Sequence, residues 1–213
     1  MILVDMSQIM MASIMMQMHM SKKSEPDEEM VRHMILNSLR MYRTRFLSEF
    51  GEMVLCYDSR HYWRRDYFPE YKHSRRKSRG TDDKNWDIIF NCLNTIKEEV
   101  KSNMPYKSVE VYGAEADDVI ATLCSESSNE VMILSGDKDF IQLQKFPNVK
   151  QYSPITKKMI NGMNPDDYLK EHVLKGDTSY GVPNVLSPDN TFVDGIRQRP
   201  LSKKKIALMV DGD

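Results

Sequence analysis

Acidic residues follow three of the short apolar runs in this sequence. Asp5 comes directly after the run at residues 2–4, and Asp58 after the run at 53–57, while Asp137 and Asp139 follow the run at 130–135. One such residue is ordinary, because Asp caps helices and makes turns. Acids delivered by three strands to one place would repel one another unless a cation neutralised them. Mg²⁺ prefers oxygen ligands, so the pattern predicts a divalent-metal site.

Two further segments add acids to this set. Glu115, Asp117 and Asp118 open a predicted helix, where a simple pairing with the helix dipole is the alternative explanation, above all for Asp118. Asp177 follows Gly176 in a predicted turn, where a helix C-cap followed by a turn residue is the alternative. Both segments are candidates for the same metal site.

The segment at residues 60–79 is basic and aromatic. It has eight Arg or Lys against two acids, and five aromatic residues lie between them. A solvated loop is the simple explanation, but exposing so many aromatic side chains without a function is unusual. Cations contact phosphates and aromatic faces stack on bases, so the segment predicts binding of single-stranded nucleic acid. The candidates are Arg64, Arg65, Arg76, Lys77 and Arg79, with Lys203 and Lys204 near the C-terminus.

The elements that must position these residues alternate between strand and helix. We predict strands at 2–5, 53–58, 109–111, 130–135 and 150–153, and helices at 7–20, 30–50, 85–103, 114–125 and 164–174, the first of them capped by Ser7. This order predicts an α/β fold with a mostly parallel central sheet and helices on both faces. Binding crevices in such sheets lie at the carboxyl ends of the strands, where the acids are placed.

The composition sets the remaining limits. The chain has 213 residues, 40% hydrophobic and 29% charged, with a net charge of −1, as in an ordinary globular protein. Its three cysteines form no CxxC pair, which favours a reducing compartment over a disulfide or zinc scaffold. No apolar stretch has the length of a membrane span or the form of a signal peptide. We therefore expect an intracellular protein without membrane contact.

Six short motifs in order carry a family resemblance: ILVD, CYDSR, YKHSR, EADDVIA, SGDKDFIQL and KGDTS. The set, over about residues 1–185, resembles the 5′-nuclease or flap endonuclease family. Within this family, segments such as MVRHMILNS, YWRRDY and NVKQYSP resemble the sequence of phage ribonuclease H of the T-even type. EADD and SGDKDF in this order are the most specific motifs. The resemblance implies a PIN-like fold with a catalytic domain at 1–175, including a basic arch or loop at about 60–84. A shortened helical DNA-binding part would follow at 176–213.

The resemblance also implies two Mg²⁺ ions, for which Mn²⁺ would substitute, and a role for each matching residue. In two-metal chemistry one ion activates a water and the other stabilises the leaving oxygen. The first metal would be bound by Asp5, Asp58, Glu115, Asp117 and Asp137, and the second would lie near Asp139 and Asp177. Asp118 would support these ligands. Lys72 and Arg75 would steady the scissile phosphate, and Tyr71 would stack on a terminal base.

One position departs from the family pattern. Tyr180 stands where the family usually has an Asp that binds the second metal. Tyrosine has a pKa near 10 and is a poor Mg²⁺ ligand at neutral pH. The second site is therefore weakened, or Asp189 or Asp194 replaces the missing ligand.

We therefore expect a metal-dependent 5′→3′ exonuclease and flap endonuclease that removes primers during replication. Its substrates would be DNA and RNA/DNA with 5′ ends or flaps. The protein would be a monomer, with replication proteins such as a single-strand-binding protein or a clamp as its partners. It would act in the cytoplasm, which is the cytoplasm of the host cell if the protein is phage-encoded. The alternative is a protein that binds branched nucleic acid without cutting it. Another carboxylate-metal enzyme, such as a phosphatase, would leave the basic segment unexplained.

Overall fold

The computed structural model describes residues 1–162 and 164–211, with the backbone alone at residues 76, 77 and 211. The roles predicted for Arg76 and Lys77 therefore concern side chains outside the described part. The chain forms two compact units. The first combines residues 1–62 and 84–161, and the second combines 63–83 and 162–213. These bounds differ from the predicted functional division at residue 175, which stays a prediction.

The first unit is built on a six-stranded sheet. Its strands are β1 Ile2–Asp5, β2 Met53–Tyr57, β3 Lys107–Glu110, β4 Val131–Leu134, β5 Val149–Ser153 and β6 Lys158–Met159. They lie in the order β3-β2-β1-β4-β5-β6, and every neighbouring pair is parallel except β5 and β6. The predicted mostly parallel sheet is confirmed. Strand β6 was not predicted, because two exposed residues are too few to show an alternating pattern.

The helices are α1 Met6–Ser21, α2 Glu28–Phe50, α3 Arg64–Tyr67, α4 His73–Gly80, α5 Trp86–Asn103, α6 Ala116–Glu126, α7 Pro165–Lys175 and α8 Lys203–Asp211. A 3₁₀ helix spans Lys138–Lys145. Successive side chains of a strand point to opposite faces, so Val4 packs with α1, α2 and α5 while Leu3 packs with α6. Each fully buried apolar side chain contributes about 1.5–3 kcal/mol to folding. Helices thus cover both faces, as predicted.

The first helix follows the first strand without a loop. Asp5 ends β1 in an extended conformation, and its Oδ1 accepts a hydrogen bond of 3.1 Å from the Gln8 amide. Asp5 is therefore the N-cap, and the prediction of Ser7 was wrong. A cap needs an extended backbone, whereas Ser7 already lies inside the helix.

The second unit contains α3 and α4, which form within the predicted basic arch, together with α7 and α8. After α7 the backbone turns at Gly176 with φ of 68°. A Cβ atom there would lie 2.4 Å from the Pro183 carbonyl oxygen, so only glycine fits this turn.

In the part of the chain that the structure describes, none of the helices combines the length and apolar character needed to cross a bilayer.

Candidate active site

The predicted metal ligands of the first unit meet at one edge of the sheet. Strand β1 lies between β2 and β4, with Asp5 level with Cys56 and Val4 level with Leu134. Their carboxyl ends therefore deliver Asp5, Asp58 and Asp137 to neighbouring positions. The chain leaves β1 towards β2 on one side and reaches β4 on the other, which makes this the switch point of the sheet.

Asp5 is buried, with 7% of its surface exposed, and both carboxylate oxygens are hydrogen-bonded. Besides the Gln8 amide on Oδ1, the Ser135 hydroxyl donates to Oδ2 at 2.9 Å. Burial raises the pKa of Asp5 to about 6; the two hydrogen bonds oppose this, and the charges of Asp58 and Asp137 add to it. Asp5 is thus held in place and sensitive to its acidic neighbours.

Asp58 joins three elements of the first unit. Its Oδ2 accepts a 2.7 Å hydrogen bond from the Ser7 hydroxyl on α1. Its Oδ1 accepts another of 2.7 Å from the Ala116 amide at the start of α6. The first amide groups of a helix have no partner within that helix, and Asp58, which follows β2, accepts a hydrogen bond from one of those in α6. Both oxygens are therefore oriented by the fold.

Asp137 lies in a tight turn after β4. Its amide donates to the Ser135 hydroxyl at 3.1 Å, and its Oδ1 accepts from the Asp139 amide at 3.0 Å. The buried Gln151 side chain donates to the carbonyls of Ser135 and Asp137 at 3.0 and 2.6 Å. A Cβ atom at Gly136 would lie 2.9 Å from the Ser153 hydroxyl, so a larger residue in this turn would require the Ser153 side chain to shift.

Electrostatic coupling is strongest at Asp117, in the first turn of α6. Burial raises its pKa to about 8, and nearby negative charges add to the effect. The carboxylates that supply these charges are Asp5, Asp137, Asp58 and Glu115. The structure therefore brings together the five residues predicted for the first metal.

The donor atoms of this set are of the kind that a hard divalent cation prefers. Within residues 1–162 and 164–211, no group of three or more His, Cys, Asp or Glu side chains is arranged so that it could hold a metal ion by itself. Mg²⁺ retains several of its own waters and needs few direct protein ligands. All five candidate donors are oxygens, and a cation would relieve the repulsion that raises the pKa of Asp117.

Asp118 and Asp139 have structural contacts beside the cluster. The Asp118 Oδ2 accepts a 2.9 Å hydrogen bond from the Glu115 amide and so supports the start of α6. The Asp139 amide donates to Asp137 in the turn described above. The supporting role expected of Asp118 and the metal-binding role expected of Asp139 both stay predictions.

The residues predicted to bind the scissile phosphate lie in the second unit. Tyr71 is buried, with 7% of its surface exposed, and its ring stacks on that of Tyr180. The Lys72 ammonium lies 5.1 Å from the Tyr71 ring, and the Arg75 guanidinium lies 4.6 Å from the Tyr180 ring. The base-stacking role of Tyr71 stays a prediction, because its ring here contacts another tyrosine.

Asp177 also lies in the second unit, where it organises a turn. Its Oδ1 accepts hydrogen bonds from the amides of Ser179 and Tyr180 at 2.7 and 3.2 Å, and its Oδ2 lies 3.8 Å from the His172 ring. The predicted substitute Asp194 accepts 2.6 Å from the Asn190 amide group, while Asp189 is exposed. Whether any of these binds a second ion stays a prediction.

The other predicted nucleic-acid contacts are on short helices of the second unit. Arg64 and Arg65 belong to α3, Arg79 to α4, and Lys203 and Lys204 to α8. The Arg64 guanidinium lies 4.8 Å from the Trp63 ring, and Tyr67 in the same helix is 87% exposed. Exposed aromatics beside cations are the combination that the sequence predicted.

Several supporting residues were missed at the sequence level. Ser7, Gln8, Ser135 and Gln151 hold the acids or the turns that carry them. Gln8 accepts a 2.6 Å hydrogen bond from the Gly136 amide, which joins α1 to the turn after β4. For Ser7, Gln8 and Ser135 the signal in the sequence was a polar residue near a motif acid, whereas Gln151 lies near none.

A mostly parallel sheet covered by helices on both faces, with coupled carboxylates at its switch point, makes this an α/β protein with an acidic crevice at the carboxyl ends of its strands. The chain belongs to the 5′–3′ exonuclease family, since residues 1–173 match its N-terminal resolvase-like domain. It is 36% identical over 224 residues to ribonuclease H of Enterobacteria phage T4, covering 99% of this chain and 72% of the relative. Flap endonuclease Xni of Shewanella sp. (strain MR-4) is 29% identical over 58% of this chain and 48% of the relative.

Solved structures agree on the fold. A bacteriophage T5 protein crystallised with metal ions superposes with a TM-score of 0.68 at 15% identity, over 97% of this chain and 82% of the other. The T5 flap endonuclease in a pseudo-enzyme–product complex with DNA and metal ions gives a TM-score of 0.66 at 16% identity, over 98% and 83%. At these identities the likeness establishes the fold alone.

Proposed function

We propose that the protein is a divalent-metal-dependent 5′→3′ exonuclease and flap endonuclease. Its substrates are DNA and RNA/DNA with 5′ ends or flaps, and its role is primer removal in replication. The observation that carries the proposal is the coupling of Asp117 to four other carboxylates at the switch point of the sheet. The names of the relatives, ribonuclease H and flap endonuclease, support the same substrate class.

The five carboxylates of the first unit would bind Mg²⁺. When bound, such an ion lowers the pKa of a water nucleophile and stabilises the leaving oxygen. The protein's own contribution is orientation: Ser135 and the Gln8 amide fix Asp5, while Ser7 and the Ala116 amide fix Asp58. Ligands fixed by such contacts lose little freedom when the ion and substrate arrive.

Lys72 and Arg75 would bind the phosphate that is cut. A cation beside a phosphate compensates charge that develops during cleavage, and a guanidinium fits phosphate oxygens with two parallel hydrogen bonds. The exposed Tyr67 and the cations of α3 and α4 would bind the single strand. Lys203 and Lys204, both exposed on α8, would contact duplex phosphates in the C-terminal part at 176–213.

The direct test is cleavage of a 5′-labelled flap DNA and a primer RNA/DNA hybrid. We expect short 5′ products with Mg²⁺ or Mn²⁺ and none with a chelator. Asp137→Asn keeps the shape of the side chain and removes one ligand charge, so it should bind the flap without cutting it. An intact flap with wild-type protein and Mg²⁺ would contradict the proposal.

The second candidate is a protein that binds branched nucleic acid without cutting it. Two observations favour it: Tyr180 replaces a family carboxylate, and the Asp177 carboxylate is engaged by backbone amides. The same assay separates the candidates, because a pure binder would shift the labelled flap on a native gel and leave it whole with either metal.

A further inference from the structure

Tyr180 and Tyr71 form a parallel aromatic stack in the second unit. Their ring centroids lie 5.4 Å apart and the ring planes differ by 7°. Tyr71 is buried, and one face of its ring is covered by Tyr180. The residue that departs from the family pattern is therefore packed against one of the motif residues.

Hydrogen bonds hold the backbone of Tyr180 at both its amide and its carbonyl. The turn begins at Gly176. The Asp177 carboxylate accepts hydrogen bonds from the amides of Ser179 and Tyr180 at 2.7 and 3.2 Å. Backbone hydrogen bonds of 2.8 and 2.9 Å join Asp177 and Val182 across the turn. The Tyr180 carbonyl then accepts a 2.7 Å hydrogen bond from the Lys72 amide.

That last contact stabilises an uncommon backbone conformation. Lys72 has φ of 59°, in the left-handed region that residues other than glycine seldom adopt. Such strain persists only where surrounding contacts fix it, and it occurs often at functional sites. The contact with Tyr180 is one that fixes it here.

Two cations lie against the tyrosine stack. The Lys72 ammonium is 5.3 Å from the Tyr180 ring centre, and the Arg75 guanidinium is 4.6 Å from it. Arg75 also donates a 3.3 Å hydrogen bond to the Ser179 hydroxyl, in the same turn. Aromatic faces attract cations without neutralising their charge. A carboxylate at position 180 would instead form ion pairs with these cations and compete with a phosphate for them.

We propose that Tyr180 is a positioning residue, whose ring and carbonyl hold Lys72 and Arg75 ready to bind the phosphate of a nucleic-acid strand. The inference rests on the proposed nuclease function and assigns Tyr180 a role other than that of a lost metal ligand. Its ring acts through stacking and cation attraction, and both are retained when tyrosine is replaced by phenylalanine.

Three variants test this with a labelled 5′ flap and Mg²⁺. Tyr180→Phe keeps the ring and should retain kcat within about twofold. Tyr180→Leu removes the ring and should lower kcat by roughly tenfold or more, as for a displaced transition-state contact. Tyr168→Leu is the matched control, because Tyr168 stacks on His172 at 5.6 Å in the same unit and should leave kcat near that of wild type.

A double-mutant cycle with Lys72→Ala separates positioning from general damage to the fold. If Tyr180 acts through Lys72, Tyr180→Leu should cost much less in the Lys72→Ala background than in wild type. Equal costs in both backgrounds would overturn the inference. So would Tyr180→Leu with wild-type kcat, or Tyr180→Phe as slow as Tyr180→Leu.

Tyr180→Asp distinguishes the two explanations of Tyr180, as a lost metal ligand or as a positioning residue. Restoring a missing metal ligand would raise the cleavage rate at low Mg²⁺, and that result would contradict the inference. Loss of the stack should instead lower the rate at every Mg²⁺ concentration. A wild-type protein that neither binds nor cuts the flap would overturn the proposed function together with the inference. A wild-type protein that cuts, with Tyr180→Leu its equal, would overturn the inference alone.

Discussion

Replacing Asp117 by Asn should stabilise the metal-free protein at alkaline pH. The pKa of Asp117 is raised to about 8 from a usual 3.8, so the folded state binds this proton more tightly than the unfolded state does. The stabilising effect of the proton is complete below about pH 4 and is lost as the pH rises to about 8. Asn carries no charge at any pH and avoids this loss.

The size of the effect follows from the two pKa values. The difference between 3.8 and about 8 corresponds to at most about 5 kcal/mol at pH 8. Asp117 is partly exposed and its acidic neighbours can relax, so we expect about 1–3 kcal/mol. For a chain of this length that is about 3–10 °C in Tm.

The assay is thermal unfolding in a chelator between pH 5 and pH 8.5. The Tm of the wild type should fall over this range by clearly more than that of Asp117→Asn. Mg²⁺ should then raise the wild-type Tm, more at pH 8 than at pH 5.5, because the ion binds ionised carboxylates in competition with protons. Asp87→Asn, at an exposed acid in the first turn of α5, is the matched control and should follow the wild type.

Parallel Tm curves of the wild type and Asp117→Asn in the chelator would mean that the Asp117 charge is not repelled in the folded protein. If Asp117→Asn gains as much Tm from Mg²⁺ as the wild type does, the Asp117 carboxylate does not contribute to binding the ion.

Four further substitutions have separate expected outcomes. Asp137→Asn should reduce cleavage by at least about a hundredfold while the far-UV circular dichroism spectrum stays unchanged, and near-normal turnover at millimolar Mg²⁺ would contradict its metal role. Lys72→Ala should lower kcat by roughly tenfold to a thousandfold. Lys203→Ala should mainly weaken binding of the flap and reduce the salt dependence of that binding. If the two variants change kcat and binding in the same way, Lys72 has no special role in cleavage. Gly176→Ala should lower stability by about 1–3 kcal/mol in denaturant unfolding, because its Cβ would meet the Pro183 carbonyl, and an unchanged midpoint would show that the turn relaxes freely.

The architecture of the first unit was readable from the sequence because its signals are local. The apolar runs in β1, β2 and β4 each end at a polar residue, and alternation with helical segments leaves few other arrangements than a parallel sheet. The positions of Asp5, Asp58 and Asp137 follow from the strand ends alone. The cap at Asp5 was missed because a strand that passes directly into a helix leaves no loop residues to mark the boundary.

The contacts of the second unit were not readable in the same way. The basic segment and the turn at Asp177 are far apart in the chain, and no periodicity links them. From the sequence, Tyr180 could only be compared with the family pattern, which usually has an Asp at this position. Its stack on Tyr71 depends on a long-range pairing that only the folded structure shows.

The arrangement of the units in the chain sets an order of assembly during synthesis. All five predicted ligands of the first metal have been added once residue 137 is made, and β5 follows soon after. The cations at Lys72 and Arg75 are made early, but their support at Tyr180 is made more than a hundred residues later. At about 5–20 residues per second, the ribosome therefore spends several seconds on a chain that has its acids but in which Lys72 lacks its contact with Tyr180. A nascent chain that stopped before Tyr180 would keep the acidic crevice residues and lack the part that holds the cations.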